Sequence, residues 1–270
     1  EQELHDVCSV LITGWPDDTC LARQYHRIRG EGTRTKYISL EKGYHGTHFG
    51  GASINGNSKF RNSYEPLLPG CFHLPSPYPY RNPYGETDPA QLAQNIAAAF
   101  EDEVTFQDPK TIAAFIMEPI QGAGGVIVPD ASFMGLMRDV CTRHGILMIS
   151  DEVITGFRIE YGGCQEHYGL TPDLATFGKA IGGGMPIGAV AGRADVLVAH
   201  PGQHGLADLL QSRLGGGPEV HDRSGVAEVK LGHALAECLG QRRRRLGQRD
   251  DLGLRLAQHH GCGLFHGGNG

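Results

Sequence analysis

Residues 146–151, Ile146-Leu147-Met148-Ile149-Ser150-Asp151, form a short apolar run that leads into a carboxylate. Four apolar residues in a row have no amphipathic period, and a run this short suits a strand buried on both faces of a parallel sheet. Such a strand over 146–149 delivers Asp151 just past its carboxyl end. Upstream, Phe133, Leu136, Met137, Val140 and Cys141 recur at helical spacing, with Asp130 as candidate cap and Gly145 placed to stop the helix. Farther back, residues 112–117 are another buried strand, and 89–103 read as a helix with Asp88 as N-cap and a proline in its first turn. Residues 36–40 and 174–177 are strand-like, and Lys179 follows the latter. Helices between short apolar strands predict an α/β fold with a mostly parallel sheet flanked by helices.

Outward from this core the pattern fails at both ends. Residues 1–22 are irregular, with a turn-like Thr13-Gly14-Trp15-Pro16, whereas 23–198 carry the α/β alternation. Within that domain, residues 64–85 hold six prolines and predict a long irregular excursion. Residues 199–270 lack Ile, Tyr and Trp, contain Phe265 as their single aromatic, and include Arg242-Arg243-Arg244-Arg245. Such a segment offers little β-branched or aromatic material for a core strand. It reads as an out-of-frame, decayed or disordered tail, or as a genuine basic one.

Composition excludes several classes of function. A formal net charge of −6 argues against a nucleic-acid platform. No apolar run reaches membrane-spanning length, and the first residues do not form a signal peptide, so a cytoplasmic protein is expected. The seven cysteines show neither zinc-ribbon spacing nor a disulfide framework, and the fourteen histidines form no ligand motif, so no metal is expected.

In an open parallel sheet, ligands gather outside the carboxyl ends of the strands. Glu118, Asp151 and Lys179 all fall at such ends. A lysine there suits imine chemistry with an aldehyde, and a carboxylate facing a pyridine nitrogen favours its protonated form. Each residue also has a plainer role open to it. Asp151 can cap a turn, Lys179 and Glu118 can be solvated, Tyr44 can pack and His45 can brace a loop. Gly182-Gly183-Gly184 fits either a tight turn or a close approach of backbone to ligand. Pattern alone therefore reaches an α/β ligand-binding domain.

Longer strings say more. Tyr44-His45-Gly46, Met117-Glu118-Pro119-Ile120-Gln121-Gly122, the stretch Asp151-Glu152-Val153-Ile154-Thr155-Gly156-Phe157 and the run from Pro172 to Gly184 together resemble the class III, fold-type I aminotransferases. The order of the four motifs matches, with 28 residues from Asp151 to Lys179, and the resemblance covers about residues 23–198. It implies pyridoxal phosphate as cofactor, with Lys179 as the catalytic, imine-forming lysine and proton shuttle. Asp151 is implied to pair with the ring nitrogen, Val153 and Tyr44 to flank the ring, and His45 and Gly46 to shape the Tyr44 loop. Glu118 is implied to lie near the cofactor.

The implied reaction is transfer of an amino group from an amine or ω-amino acid to a keto acid such as pyruvate, in a homodimer. Residues 36–84 look like the amine:pyruvate group. Thr155-Gly156-Phe157-Arg158 looks more like glutamate-1-semialdehyde aminomutase, which uses the same cofactor within one carbon skeleton. Two family features do not match. Thr13-Gly14-Trp15-Pro16 stands where a Ser-Gly phosphate-binding turn is expected, and no Gly-Thr motif follows Val198. An inactive, truncated relative is therefore a third expectation.

Overall fold

The computed structural model describes residues 21–47, 49–184, 188–197, 230–231, 254–259 and 262–267. The chain enters through α1 (Leu21–Ile28) and β1 (Lys36–Leu40), then passes α2 (Phe49–Ile54), α3 (Ser58–Arg61) and β2 (Cys71–Leu74). It continues through α4 (Pro89–Gln107), β3 (Ile112–Met117), α5 (Phe133–His144), β4 (Leu147–Glu152), α6 (Gly163–His167) and β5 (Leu174–Phe177). After β6 (Ala189–Gly192) and α7 (Ala194–Leu197) come β7 (Lys230–Leu231), β8 (Leu254–His259) and β9 (Cys262–Gly267).

Seven strands form one sheet in the order β2-β1-β3-β4-β5-β6-β7, while β8 and β9 pair separately as an antiparallel hairpin. The first five strands of that order run parallel, and β6 and β7 are added antiparallel. Every residue of β3, β4 and β5 is buried, as expected where helices cover both faces. Side chains alternate between two cores. Phe115, Met117 and Met148 pack with Leu92, Ile96 and Phe100 of α4 and Met134 and Met137 of α5. Ala114, Ile116, Leu147 and Ile149 pack with Leu21, Ala22 and Tyr25 of α1 and Val196 of α7.

Local chemistry explains where the elements begin and end, and where expectation and structure part. Asp88 caps α4 by accepting from Gln91 N at 2.8 Å, but the helix runs to Gln107, about one turn beyond 103. Gly145 ends α5 in the left-handed region at φ 64°, as read from sequence. Asp130, however, does not cap that helix. Its side chain accepts from Ser132 N at 2.9 Å, and the helix starts only at Phe133. β4 extends to Glu152, so Asp151 is a strand residue paired with Thr176 and does not lie past the strand end.

The proline-rich excursion contains β2, which pairs with β1 in the gap between Pro69 and Pro75. Proline lacks an N–H for the ladder, and β2 is accordingly an edge strand. The expected irregular segment meets the structure at α1, which begins at Leu21; the turn at Thr13–Pro16 lies outside the described residues. In the 199–270 segment β7 joins the sheet edge, and β8 and β9 make a hairpin; the rest of that segment, including Arg242–Arg245, also lies outside.

Asp173, immediately before β5, ties the amino ends of β4 and β5 to helix α5 and to the carboxyl end of the antiparallel β6. Its carboxylate accepts from Met148 N at 2.7 Å, Arg138 Nη1 at 2.6 Å and Arg193 Nη1 at 2.7 Å, and it is 3% exposed. An Asp173→Ala change strands a buried backbone N–H and removes the carboxylate partner of Arg138, while Arg193 keeps Asp195. It is expected to lower stability by on the order of 3 kcal/mol, read as a lower urea midpoint with an unchanged slope.

Candidate active site

The sheet order does the first part of the assembly. β1, β3, β4 and β5 are consecutive neighbours, so the carboxyl end of β4 and the segments leaving β1, β3 and β5 bring Asp151, Tyr44, Glu118 and Lys179 to one end of the sheet. Adjacent strands lie roughly 5 Å apart, so side chains from alternate strands can meet across an intervening one. His45 does this. Its Nδ1–H donates to Asp151 Oδ2 at 2.9 Å, and the two side chains are 1% and 4% exposed. Asp151 Oδ1 also accepts from Val153 N at 3.2 Å, which holds the carboxylate from the other side.

Glu118, first residue after β3, is buried and locks two loops to the sheet. Its Oε1 accepts from Tyr44 N at 2.9 Å and its Oε2 from Gly122 N at 3.0 Å. Burial pushes the Glu118 carboxyl up to about 7; His45 pulls it down, Asp151 pushes it up, and the two N–H groups pull it down. The folded chain therefore holds a proton on Glu118 between pH 4.5 and about 7 that the unfolded chain releases. Stability from this group is present below pH 4.5 and is lost as pH rises through that window, by on the order of 3 kcal/mol in total. Glu118→Gln is expected to flatten this part of the thermal-midpoint profile. An unchanged slope between pH 4.5 and 7 would contradict the assignment.

Tyr44 is buried, with its ring 4.7 Å from that of Phe60, and Val153 is buried beside Asp151. Gly46 has φ 100°, a backbone conformation that side-chain-bearing residues rarely adopt. Lys179 opens a 3-10 turn (Lys179–Gly182) at φ 44°, itself in the left-handed region. Gly183 and Gly184 follow at φ 54° and 95°, so the glycine run forms a tight turn behind the lysine. The sequence-expected residues thus share one end of the sheet. Direct side-chain contacts link His45 with Asp151, and Glu118 reaches the Tyr44 backbone.

Two organising residues escaped the sequence reading. Asn55, just after α2, accepts from His45 N at 2.6 Å and donates through Nδ2 to Gly46 O at 2.8 Å, fixing the loop that carries the histidine. Glu152 follows Asp151 but belongs to the opposite face of β4. It accepts from Thr155 Oγ1 at 2.7 Å, Cys164 N at 2.9 Å and Gln165 N at 3.0 Å, closing the 153–165 loop on itself. A Cβ on Gly163 would sit 2.5 Å from Glu152 Oε2, so glycine permits this close approach. The loop also packs on the lysine's strand, with the Phe157 ring 5.4 Å from that of Phe177. The adjacent Asp151-Glu152 carboxylates were the available signal for Glu152; a partner ten residues upstream left none for Asn55.

The class-III aminotransferase family model matches residues 19–207. The chain belongs to the class III aminotransferases. Among class III relatives, the ω-aminotransferase of Caulobacter vibrioides is 40% identical over 178 residues, spanning 64% of this chain and 40% of that protein. The glutamate-1-semialdehyde 2,1-aminomutase of Rhodopirellula baltica is 38% identical over 169 residues, spanning 63% of this chain and 36% of its own. A pyridoxal-phosphate-bound amine transaminase from an uncultivated Pseudomonas species superposes with a TM-score of 0.65 at 41% identity, over 69% of this chain and 43% of that structure. The mostly parallel sheet with its helices is the fold these transaminase structures share with the chain. The chain spans about 40% of the length of the curated ω-aminotransferase relative. Among the described residues no cluster of His, Cys, Asp or Glu could hold a metal ion, and no helix is long and apolar enough to cross a membrane.

Proposed function

We propose that this class III chain binds pyridoxal phosphate and serves transfer of an amino group from an amine or ω-amino acid to a keto acid such as pyruvate. The observation that carries this reading is the juxtaposition of Asp151, oriented by His45 at 2.9 Å, with Lys179 at the end of the neighbouring strand. The donor set fits the cofactor, combining a buried carboxylate for a ring nitrogen, a lysine for an aldehyde and a buried aromatic residue alongside. When bound, pyridoxal phosphate supplies the carbonyl carbon that accepts the amino group and a ring that takes up electron density from the substrate carbon.

The chain's residues do the rest. Asp151 holds a proton on the ring nitrogen, and His45 and Val153 N–H fix the carboxylate that does so. With the cofactor bound, Lys179 Nζ would take a proton from the substrate carbon and return it to the former carbonyl carbon, on the other side of the amino nitrogen. Tyr44 and Val153 offer packing surfaces for the ring, Gly46 lets the Tyr44 loop turn, and Glu118 anchors that loop. A cytoplasmic homodimer accompanies this reading, as the family implies.

The aminomutase reading is supported by the Rhodopirellula baltica relative. Incubating the purified chain and pyridoxal phosphate with a primary amine and pyruvate tests the proposal. Alanine formation that requires pyruvate supports the transaminase. Turnover of an amino-aldehyde without a keto acid supports the aminomutase. Neither activity, with cofactor bound, supports the inactive, truncated relative.

A further inference from the structure

A cleft of about 430 Å³ opens beside the β1–β2 edge, lined by residues to which no role has been assigned above. Arg61, half-buried at the end of α3, is part of its lining. Its Nη1 donates to Asn55 O at 3.3 Å and to His73 Nδ1 at 3.2 Å, while His73 Nε2, 2.9 Å away, donates to Ile54 O at 3.3 Å. Those are its bonds among the described residues, so Nε and Nη2 present N–H donors with no acceptor there. A guanidinium braced at one corner with its other edge available matches the two oxygens of a carboxylate.

The charges of the cleft favour one negative group. Lys42 and Arg61 are cationic and Glu41 is anionic, so the wall carries a net charge near +1. Burial, reinforced by Arg61, lowers His73 to about 4, so near neutral pH this ring adds no charge and accepts from the guanidinium. Asn57, Ser58 and Asn62 add neutral polar groups. The cleft is also wired to the Tyr44-His45-Gly46 loop, because Asn55, which accepts from Arg61 through its backbone, holds His45 through its side chain.

We propose that this cleft binds a small organic monocarboxylate through the Arg61 guanidinium, at a site separate from Asp151 and Lys179. The site does not depend on cofactor chemistry, so it is tested on the purified full chain without pyridoxal phosphate. Calorimetric titration with butyrate is expected to show saturable one-site binding. In Arg61→Lys, which keeps the charge but removes the fork, affinity is expected to fall about tenfold with an unchanged thermal midpoint. Butyrate is also expected to slow phenylglyoxal modification of Arg61, mapped by peptide, while leaving exposed Arg81 unaffected. This second readout uses the unaltered chain and decides the matter where the variant fails to fold. Absence of saturation, equal binding by a folded Arg61→Lys chain, no protection of Arg61, or tighter binding of inorganic phosphate than of butyrate would each overturn the proposal.

Discussion

Asp151→Asn is expected to lower turnover of an amine and a keto acid by roughly 10- to 10³-fold while the chain stays folded. Asparagine keeps one oxygen to accept from Val153 N and turns its amide NH2 to His45 Nδ1, which accepts in the other tautomer, so the change removes charge and little shape. An opposite charge at close range shifts a pKa by about 1–3 units, and each unit is a tenfold change in the protonated fraction of the facing nitrogen. A second readout needs no cofactor. The Asp151 charge is one of the influences that push Glu118 up, so neutralising it is expected to move the Glu118-linked loss of stability to lower pH. Turnover within a factor of two of the parent would remove Asp151 from the proposed machinery. An unmoved stability profile would separate it electrostatically from Glu118.

Lys179→Arg is expected to cost more, about 10²–10⁴-fold in rate from proton transfer alone. Arginine keeps a positive charge and a long stem but stays protonated, so it can neither take the substrate's proton nor attack an aldehyde. Lys179 also holds φ 44°, and a swap between two unbranched side chains leaves that backbone demand unchanged. The fold should therefore survive, with a thermal midpoint close to the parent's. A Lys179→Arg chain that turns over at more than a tenth of the parental rate would show that another lysine carries the reaction.

The central strands were legible because a strand buried on both faces is mostly apolar, and residues 112–117 satisfy that condition throughout while 174–177 depart from it only at Thr176. The same rule misplaced the end of β4. Ser150, Asp151 and Glu152 are polar yet remain in the ladder, because each pairs with β5 and is covered on its own face. β2 was hidden among prolines that sit on either side of it, where an edge strand tolerates them. Asp130 has the residue type of a cap, but its bonds to Ser132 displaced the helix start by geometry that side-chain spacing does not encode.

The candidate site divides in the same way. Asp151, Lys179 and Glu118 stood out as reactive groups at strand ends, and the sheet order brings those ends together. The contact between His45 and Asp151 depends on a loop from β1 reaching across β3, a distance in space that no sequence period reports. Asn55 and Glu152 act chiefly through bonds to backbone groups, which any sequence supplies. Their roles emerge only from the fold.

The central claim is that Lys179 and Asp151 hold one cofactor between neighbouring strand ends. Its most direct test is the absorbance spectrum of the purified chain with pyridoxal phosphate, followed by borohydride reduction and peptide mapping. The account predicts a visible imine band, weakened in Asp151→Asn, and a single phosphopyridoxyl adduct at Lys179. No band, or adducts spread over Lys36, Lys42, Lys59 and Lys110, would contradict it.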